Sequence, residues 1–236
     1  MRFKNQVVLV TGASSGIGKA CAEAFAREGA KVALAARRAD RLQTIVKNLK
    51  KENGIAEAFL CDLQEEEQIQ KLVLDAGKAF GPCDLLINNA GINSMGPFEK
   101  ASTKEIDRML NTNLRGLMIL TREILPSMIK RKTGTIINIS SIAGKIGIAE
   151  MAVYCATKFA VSGFSAALLE EVRKYNIKVS NICPGMVDTE IHGGKHQEKR
   201  PRMLRADDVV EACFLAASTS ETCTVSEILI RPRQPF

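Results

Sequence analysis

The chain contains no tryptophan and no Cys-x-x-Cys pair, and no apolar run in it approaches the ~20 residues that a bilayer span requires. Its seven cysteines are an odd number scattered through apolar stretches. That excludes a disulfide framework or a cysteine-built zinc site and predicts reduced, mostly buried thiols. Histidine is scarce too: His192 and His196 read as surface residues, and no metal site is expected. Repeats, low-complexity tracts and Pro/Gly-rich linkers are missing, so residues 1–236 are expected to form a single domain large enough to cover a sheet on both faces. The opening residues Met1-Arg2-Phe3-Lys4-Asn5-Gln6 run straight into a strand-like segment, so no signal peptide is expected. A cytoplasmic protein is expected.

Charge narrows the partners. The formal net charge is +7, with basic residues gathered at Lys195 to Arg205 and again at Arg231 and Arg233. Nucleic acid is not expected, because no aromatic residues interleave with the cations and no basic recognition helix is present. An anionic cofactor or substrate accounts for the sign.

Strand-like runs alternate with helical ones from end to end. The strands read Val7–Thr11, Lys31–Ala36, Ala56–Cys61, Leu85–Asn88, Thr135–Ser140, Lys178–Cys183 and Ser226–Ile230. Helical segments such as Ala39–Glu52, Glu65–Phe80 and Lys104–Lys130 separate them. Apolar strands alternating with amphipathic helices predict an α/β fold, a doubly wound parallel sheet of about seven strands with helices on both faces. Right-handed crossovers then place ligands at the carboxyl ends of the strands.

Two motifs carry chemistry. In Val7-Val8-Leu9-Val10-Thr11-Gly12-Ala13-Ser14-Ser15-Gly16-Ile17-Gly18 a β-branched run enters a glycine-rich turn, and a helical segment follows. Glycines let the backbone approach a pyrophosphate, and free N–H groups at the helix start receive its charge. The second motif is Tyr154-Cys155-Ala156-Thr157-Lys158. Positions i and i+4 share a helix face, so the phenol and the ammonium point the same way. A nearby cation favours the phenolate, and the expected consequence is a Tyr154 pKa lowered toward working pH, suited to general acid/base work on a carbonyl or an alcohol. Cys155 faces about 100° away and reads as packing.

With Thr11-Gly12-x-x-x-Gly16-Ile17-Gly18, Asn88-Asn89-Ala90-Gly91, Asn113, Ser141, Tyr154/Lys158 and Pro184-Gly185 in this order and spacing, the chain resembles the short-chain dehydrogenases/reductases. The resemblance implies a Rossmann-like fold, an NAD(P)-type cofactor and a catalytic set of Asn113, Ser141, Tyr154 and Lys158. In that set Ser141 and Tyr154 also hold the substrate oxygen, while Lys158 holds the nicotinamide ribose. Asn113 distorts its helix and anchors a proton-relay water. Ser140 matches a supporting residue. Gly12, Ser14, Ser15, Gly16, Ile17 and Gly18 would line the pyrophosphate and adenosine ribose, and Asp62 and Leu63 the adenine. Asn89, Ala90 and Gly91 would flank the riboses, and Pro184, Gly185, Val187 and Thr189 would hold the carboxamide. Asp62 also reads as an N-cap for the helix that follows. Family members are commonly homotetramers, so a homo-oligomer is expected.

The second strand ends Ala35-Ala36-Arg37-Arg38, with alanine where an NAD-binding protein carries an acid for the ribose 2′-hydroxyl. Arg37 and Arg38 suit a 2′-phosphate instead, which favours NADP(H). Specificity is expected from the loops Ile92–Phe98, Ile142–Met151 and Met186 to about Leu204. The tail Ser226-Glu227-Ile228-Leu229-Ile230-Arg231-Pro232 resembles family members acting on serine, 3-hydroxy acids and other small alcohols. A 3-oxoacyl-thioester reductase stays open, with Lys130-Arg131-Lys132 and Arg173-Lys174 as a basic dock for an acidic carrier protein. A cofactor-sensing binding protein is the third reading.

Overall fold

The computed structural model describes residues 1–192 and 197–234. Among these, seven parallel strands form one sheet: β1 (Val7–Thr11), β2 (Lys31–Ala36), β3 (Ile55–Leu60), β4 (Leu85–Asn88), β5 (Gly134–Ile139), β6 (Ile177–Pro184) and β7 (Glu227–Ile230). Their spatial order is β3-β2-β1-β4-β5-β6-β7. The chain therefore builds outward from β1 to β3 and then returns to lay β4 on the other side of β1. That reversal opens a crevice beyond the carboxyl ends of β1 and β4, where ligands bind in sheets of this kind. The expected doubly wound α/β fold is the one observed.

Helices cover both faces. On one lie α1 (Gly16–Arg27), α2 (Ala39–Lys51) and α7 (Ala206–Ser218), with Cys21, Phe25, Leu42, Ile45, Val209 and Phe214 packed on Val8, Val10, Val32 and Leu34. On the other lie α3 (Glu66–Phe80), α5 (Gly116–Arg131) and α6 (Ala152–Val172), with Ile69, Leu72, Leu120, Ile124 and Leu168 packed on Leu9, Ala33, Leu86 and Ile136. Successive strand residues point to opposite faces, so Val-Val-Leu-Val-Thr in β1 is buried at every position and serves both layers. Phe3, Phe25 and Phe214 form a trio with ring centroids 4.6, 4.8 and 5.4 Å apart, joining the N-terminus to α1 and α7. Phe25 is fully buried. Phe25→Ala should cost about 3–5 kcal/mol, read as a lower denaturant midpoint with an unchanged slope.

Two expectations are corrected. The single helix over Lys104–Lys130 is instead α4 (Thr103–Leu110), a π-helical turn at Asn111–Arg115, and α5. The interruption contains Asn113, the residue that the resemblance expects to distort its helix. The expected lack of a bilayer-length apolar segment also fails. The stretch Ala152–Tyr175, α6 and the turn after it, is long and apolar enough by composition to cross a membrane. Here its Tyr154, Lys158, Leu168 and Val172 are buried, with Leu168 and Val172 packed against β-sheet residues. His196, and Lys195 within the basic stretch, lie outside the described residues, as does the part of the Met186–Leu204 loop that contains them.

Candidate active site

The glycine turn and the end of β4 are locked together. The Thr11 hydroxyl accepts hydrogen bonds from the N–H groups of Asn89 and Ala90, both at 3.0 Å, and the Asn89 amide donates to the Thr11 carbonyl at 2.9 Å. Gly12 has φ +65°, and a Cβ there would sit 2.8 Å from the Asn89 amide nitrogen and 2.9 Å from the Ala90 Cα. Neither the backbone conformation nor the space admits a side chain. Ser15 caps α1 without a side-chain bond, so the first amides of that helix are not satisfied by their own cap. Gly18, also expected in this set, is buried, and a Cβ there would strike the Asn89 amide and the Gly12 carbonyl, so glycine lets α1 approach the turn.

A cavity of about 910 Å³ follows the carboxyl ends of the strands. It is lined by Gly12, Ser14, Ser15, Gly16, Ile17, Arg37, Arg38, Asp62, Leu63, Asn89, Ala90, Gly91, Ser141, Tyr154, Lys158, Pro184, Gly185, Val187 and Thr189. Every predicted site residue except Gly18 and Asn113 therefore reaches this one space. Met95, Ile148, Met151, Met186 and Ile191, from the three predicted specificity loops, form part of the same wall. The described C-terminal residues Arg231 and Arg233 join them.

At one end stands a cluster of cations. The Arg38 guanidinium donates to the Ser14 hydroxyl at 2.9 and 3.0 Å and to the Ser15 hydroxyl at 2.6 Å, which holds it over the glycine turn. Its remaining arm donates to Glu190 at 3.0 Å. Arg41, one helical turn further along α2, donates to both Glu190 oxygens at 2.7 Å. Arg37 leans the other way, 3.6 Å from Asp62. Asp62 does not cap α3 as expected. Glu65 occupies the cap position, and Asp62 instead accepts from the Gln64 N–H at 3.1 Å, closing a local turn.

At the other end β5 delivers the two serines to opposite sides, as strand alternation requires. The Ser140 hydroxyl faces α6 and meets the Lys158 carbonyl at 3.0 Å and Ser162 at 3.3 Å. Ser141 accepts from the Ala143 N–H at 3.1 Å, capping the turn Ile142–Gly144, and its side chain acts on the Tyr154 phenol, favouring the phenolate. Gly144 lies so close to α6 that a Cβ would be 2.6 Å from the Lys158 carbonyl. Lys158, 4% exposed, donates its ammonium to the Ile139 carbonyl at 2.8 Å. Gly91 lies beside these groups: a Cβ there would sit in ordinary contact, 3.7 Å from that nitrogen and 3.5 Å from Asn113 Oδ1.

Asn113 holds this arrangement from behind. Its Oδ1 accepts from the Ile92 N–H at 2.8 Å, and its amide donates to the Ile92 carbonyl at 2.9 Å and the Thr157 hydroxyl at 3.2 Å. Thr157 in turn donates to the Tyr154 carbonyl at 2.8 Å. Single-turn π-bulges concentrate at functional sites, and this one aims Asn113 inward between the β4 loop and α6.

Burial sets the titration of the pair, against expectation. The Tyr154 phenol is pushed up to about 12 by desolvation, with the Ser141 side chain pulling in the opposite direction. Lys158 is pushed down to about 8, again by desolvation. The ammonium lies 5.7 Å from the phenol ring centre and is committed to the Ile139 carbonyl. Removing both groups from water outweighs the attraction that the sequence spacing implies. Arg41, Glu190 and Arg108, which edges the cavity from α4, were not anticipated. Arg41 was findable, because i+3 from Arg38 on a helix is the same face.

A family model described as short chain dehydrogenase matches residues 6–200. An uncharacterized oxidoreductase of Staphylococcus saprophyticus is 32% identical over 233 residues, spanning 98% of this chain and 99% of its own. One from Staphylococcus aureus is 34% identical over 228 residues, 97% of each chain. Among solved structures, a metagenomic short-chain oxidoreductase in complex with NADP superposes with a TM-score of 0.88 at 33% identity, covering 100% of both chains. An alcohol dehydrogenase from the archaeon Thermococcus sibiricus, complexed with 5-hydroxy-NADP, gives 0.90 at 28% identity over 98% of this chain and 99% of that one. Its sheet order, its glycine turn and these full-length likenesses agree: the chain belongs to the short-chain dehydrogenase family of oxidoreductases.

Proposed function

We propose that the protein is an NADP(H)-dependent oxidoreductase that interconverts a small secondary or primary alcohol of the hydroxy-acid type and its carbonyl. The observation that carries this reading is the convergence of the Tyr154 and Ser141 side chains, the Lys158 ammonium and the glycine turn on one cavity. The residues present fit the cofactor. The turn leaves no room for a Cβ at Gly12, the start of α1 offers amides to a pyrophosphate, and Arg38 is held on Ser14 and Ser15 beside them. Further support comes from the NADP and 5-hydroxy-NADP carried by the two structural relatives.

In this reading Arg37 and Arg38 hold the 2′-phosphate, and Asp62 and Leu63 the adenine. Asn89, Ala90, Gly91 and Lys158 hold the riboses, and Pro184, Gly185, Val187 and Thr189 the carboxamide. When bound, such a cofactor would supply or accept the hydride at the substrate carbon. Ser141 donates a hydrogen bond to the substrate oxygen and fixes it against Tyr154. Tyr154 gives that oxygen a proton in reduction and removes one in oxidation. A buried phenol pushed up to about 12 carries its proton at neutral pH, so the proton is present for reduction, while burial makes the phenol a weaker acid than the sequence spacing implies. Arg108, Arg231 and Arg233 on the cavity wall suit a substrate carboxylate.

The carrier-protein alternative is weaker on geometry. Lys130–Lys132 precede β5 and Arg173–Lys174 precede β6, so both basic groups sit at the amino ends of the strands, opposite the cavity. Arg131 is also engaged there, donating to Asp84 at 2.6 Å. Packing of α5 and α6 against further copies belongs to the same reading, supported by half-exposed Met118 and Phe159. So does a cytoplasmic setting, supported by cysteines that are all free.

The test follows NADPH absorbance against small aldehydes, keto acids and an acetoacetyl thioester. Consumption with a small carbonyl acid is expected. Thioester preference would move the assignment to the second reading, and NADPH binding without turnover on any compound would make the protein a sensor. Arg38→Asp should weaken NADPH relative to NADH by about ten- to a hundredfold, the range for losing a charged hydrogen bond of about 1.5–3 kcal/mol. An unchanged ratio would remove Arg38 as the phosphate ligand.

A further inference from the structure

Arg38, assigned above to the cofactor phosphate, already holds an anion, which it shares with Arg41. Glu190, in the short turn Glu190–His192 after β6, reaches across the mouth of the crevice to α2. One carboxylate oxygen accepts from Arg38 at 3.0 Å and both accept from Arg41 at 2.7 Å. The guanidiniums of Arg41 and Arg38 hold the Glu190 carboxyl below its ordinary range, so it is ionised at neutral pH. The segment before it is seated on the glycine turn: a Cβ on Gly16 would be 3.0 Å from the Thr189 methyl. A carboxylate thus lies on two cations, immediately beside Ser14 and Ser15.

We infer that Glu190 is an internal competitor for the cofactor's 2′-phosphate and so a determinant of how strongly the protein prefers the phosphorylated cofactor. The inference rests on the proposed reading of Arg38. A phosphate arriving on Arg38 meets a like charge within one guanidinium's width, which is unfavourable. Glu190 must then withdraw from its ion pairs with Arg38 and Arg41. A cofactor ending in a free 2′-hydroxyl brings no such charge and leaves the contact intact. All three side chains are about half exposed, at 42–56%, and ion pairs so placed are weak. The competitor is therefore displaceable, and its effect is a tuning of preference rather than a block.

Equilibrium titrations of NADPH, NADH, 2′-AMP and 5′-AMP into wild type and Glu190→Gln test this without reference to turnover. Glu190→Gln should tighten NADPH and 2′-AMP by roughly three- to tenfold, the range expected when two exposed ion pairs no longer have to be broken. NADH and 5′-AMP should change by less than about twofold. Glu190→Ala, which also removes the carboxylate, should move the same way. Unchanged or weaker NADPH binding in both variants, or an equal gain for NADH, overturns the inference. Arg38→Asp separates it from the reading beneath: if that variant binds 2′-AMP as wild type does, the phosphate site itself is misplaced. If it loses 2′-AMP while both Glu190 variants stay at wild-type affinity, only the competition fails.

Discussion

Tyr154→Phe should lower turnover by about 10²–10⁴-fold while NADPH affinity changes by less than about twofold. The substitution removes one oxygen from a buried position and leaves the ring, so packing in the Met109–Ala143–Tyr154–Cys155 cluster is kept. What disappears is the hydroxyl proposed as the proton donor, together with its interaction with Ser141. The direction of the reaction matters to the pH profile. Oxidation of an alcohol needs the phenolate, which burial disfavours, so the oxidative rate of wild type should climb from neutral through alkaline pH. Reduction needs the protonated phenol and should lack that rise. Stopped-flow turnover beside fluorescence titration of NADPH checks both. Parallel loss of binding and turnover, or a variant that still turns over, would contradict the role given to Tyr154.

Asn113→Ala should lower the melting temperature by on the order of 10 °C and slow turnover with it. Asn113 is 1% exposed and serves both the N–H and the carbonyl of Ile92. Alanine leaves these two backbone groups without their partner, at about 1–3 kcal/mol each. Each kcal/mol moves the melting temperature of a chain this size by about 2–4 °C. The damage reaches the chemistry because Ile92 follows Gly91, which lies against Lys158. Asn113→Asp keeps the acceptor for the Ile92 N–H but buries a charge and turns a second oxygen onto the Ile92 carbonyl, so it should be no more stable than alanine. Calorimetry on the three proteins decides it. Equal melting temperatures would mean that the π turn stands without its asparagine.

Much of the site was legible because its parts are short and local. The glycine turn sits between a strand and a helix that periodicity alone predicts, and Gly12 is required by a left-handed backbone and a close approach that glycine best meets. Tyr154 and Lys158 do share a face, and Ser141 does lie at the carboxyl end of β5. Strand limits slipped by a residue: Cys61 and Ser140 lie just beyond β3 and β5, where each N–H still bonds to the neighbouring strand while the residue lines the cavity.

Other features depend on partners far along the chain. Asn113 in the π turn bonds Ile92, twenty-one positions earlier, and no local spacing encodes that. Glu190 meets Arg41 across 149 positions. Gly18 belongs to the same motif as Gly12 and lets α1 approach the turn.

The order of apolar runs, glycines and polar motifs was sufficient to specify a doubly wound sheet and the groups that gather at one rim, since alternation, helical spacing and turn chemistry act over a few residues. Burial was beyond its reach. Only the assembled fold decided that the Tyr154 phenol is pushed up and the Lys158 amine down, because desolvation depends on everything that surrounds a group and not on its neighbour four residues away. The same holds for Arg38 and Arg41, whose counter-charge arrives from the far end of the sheet.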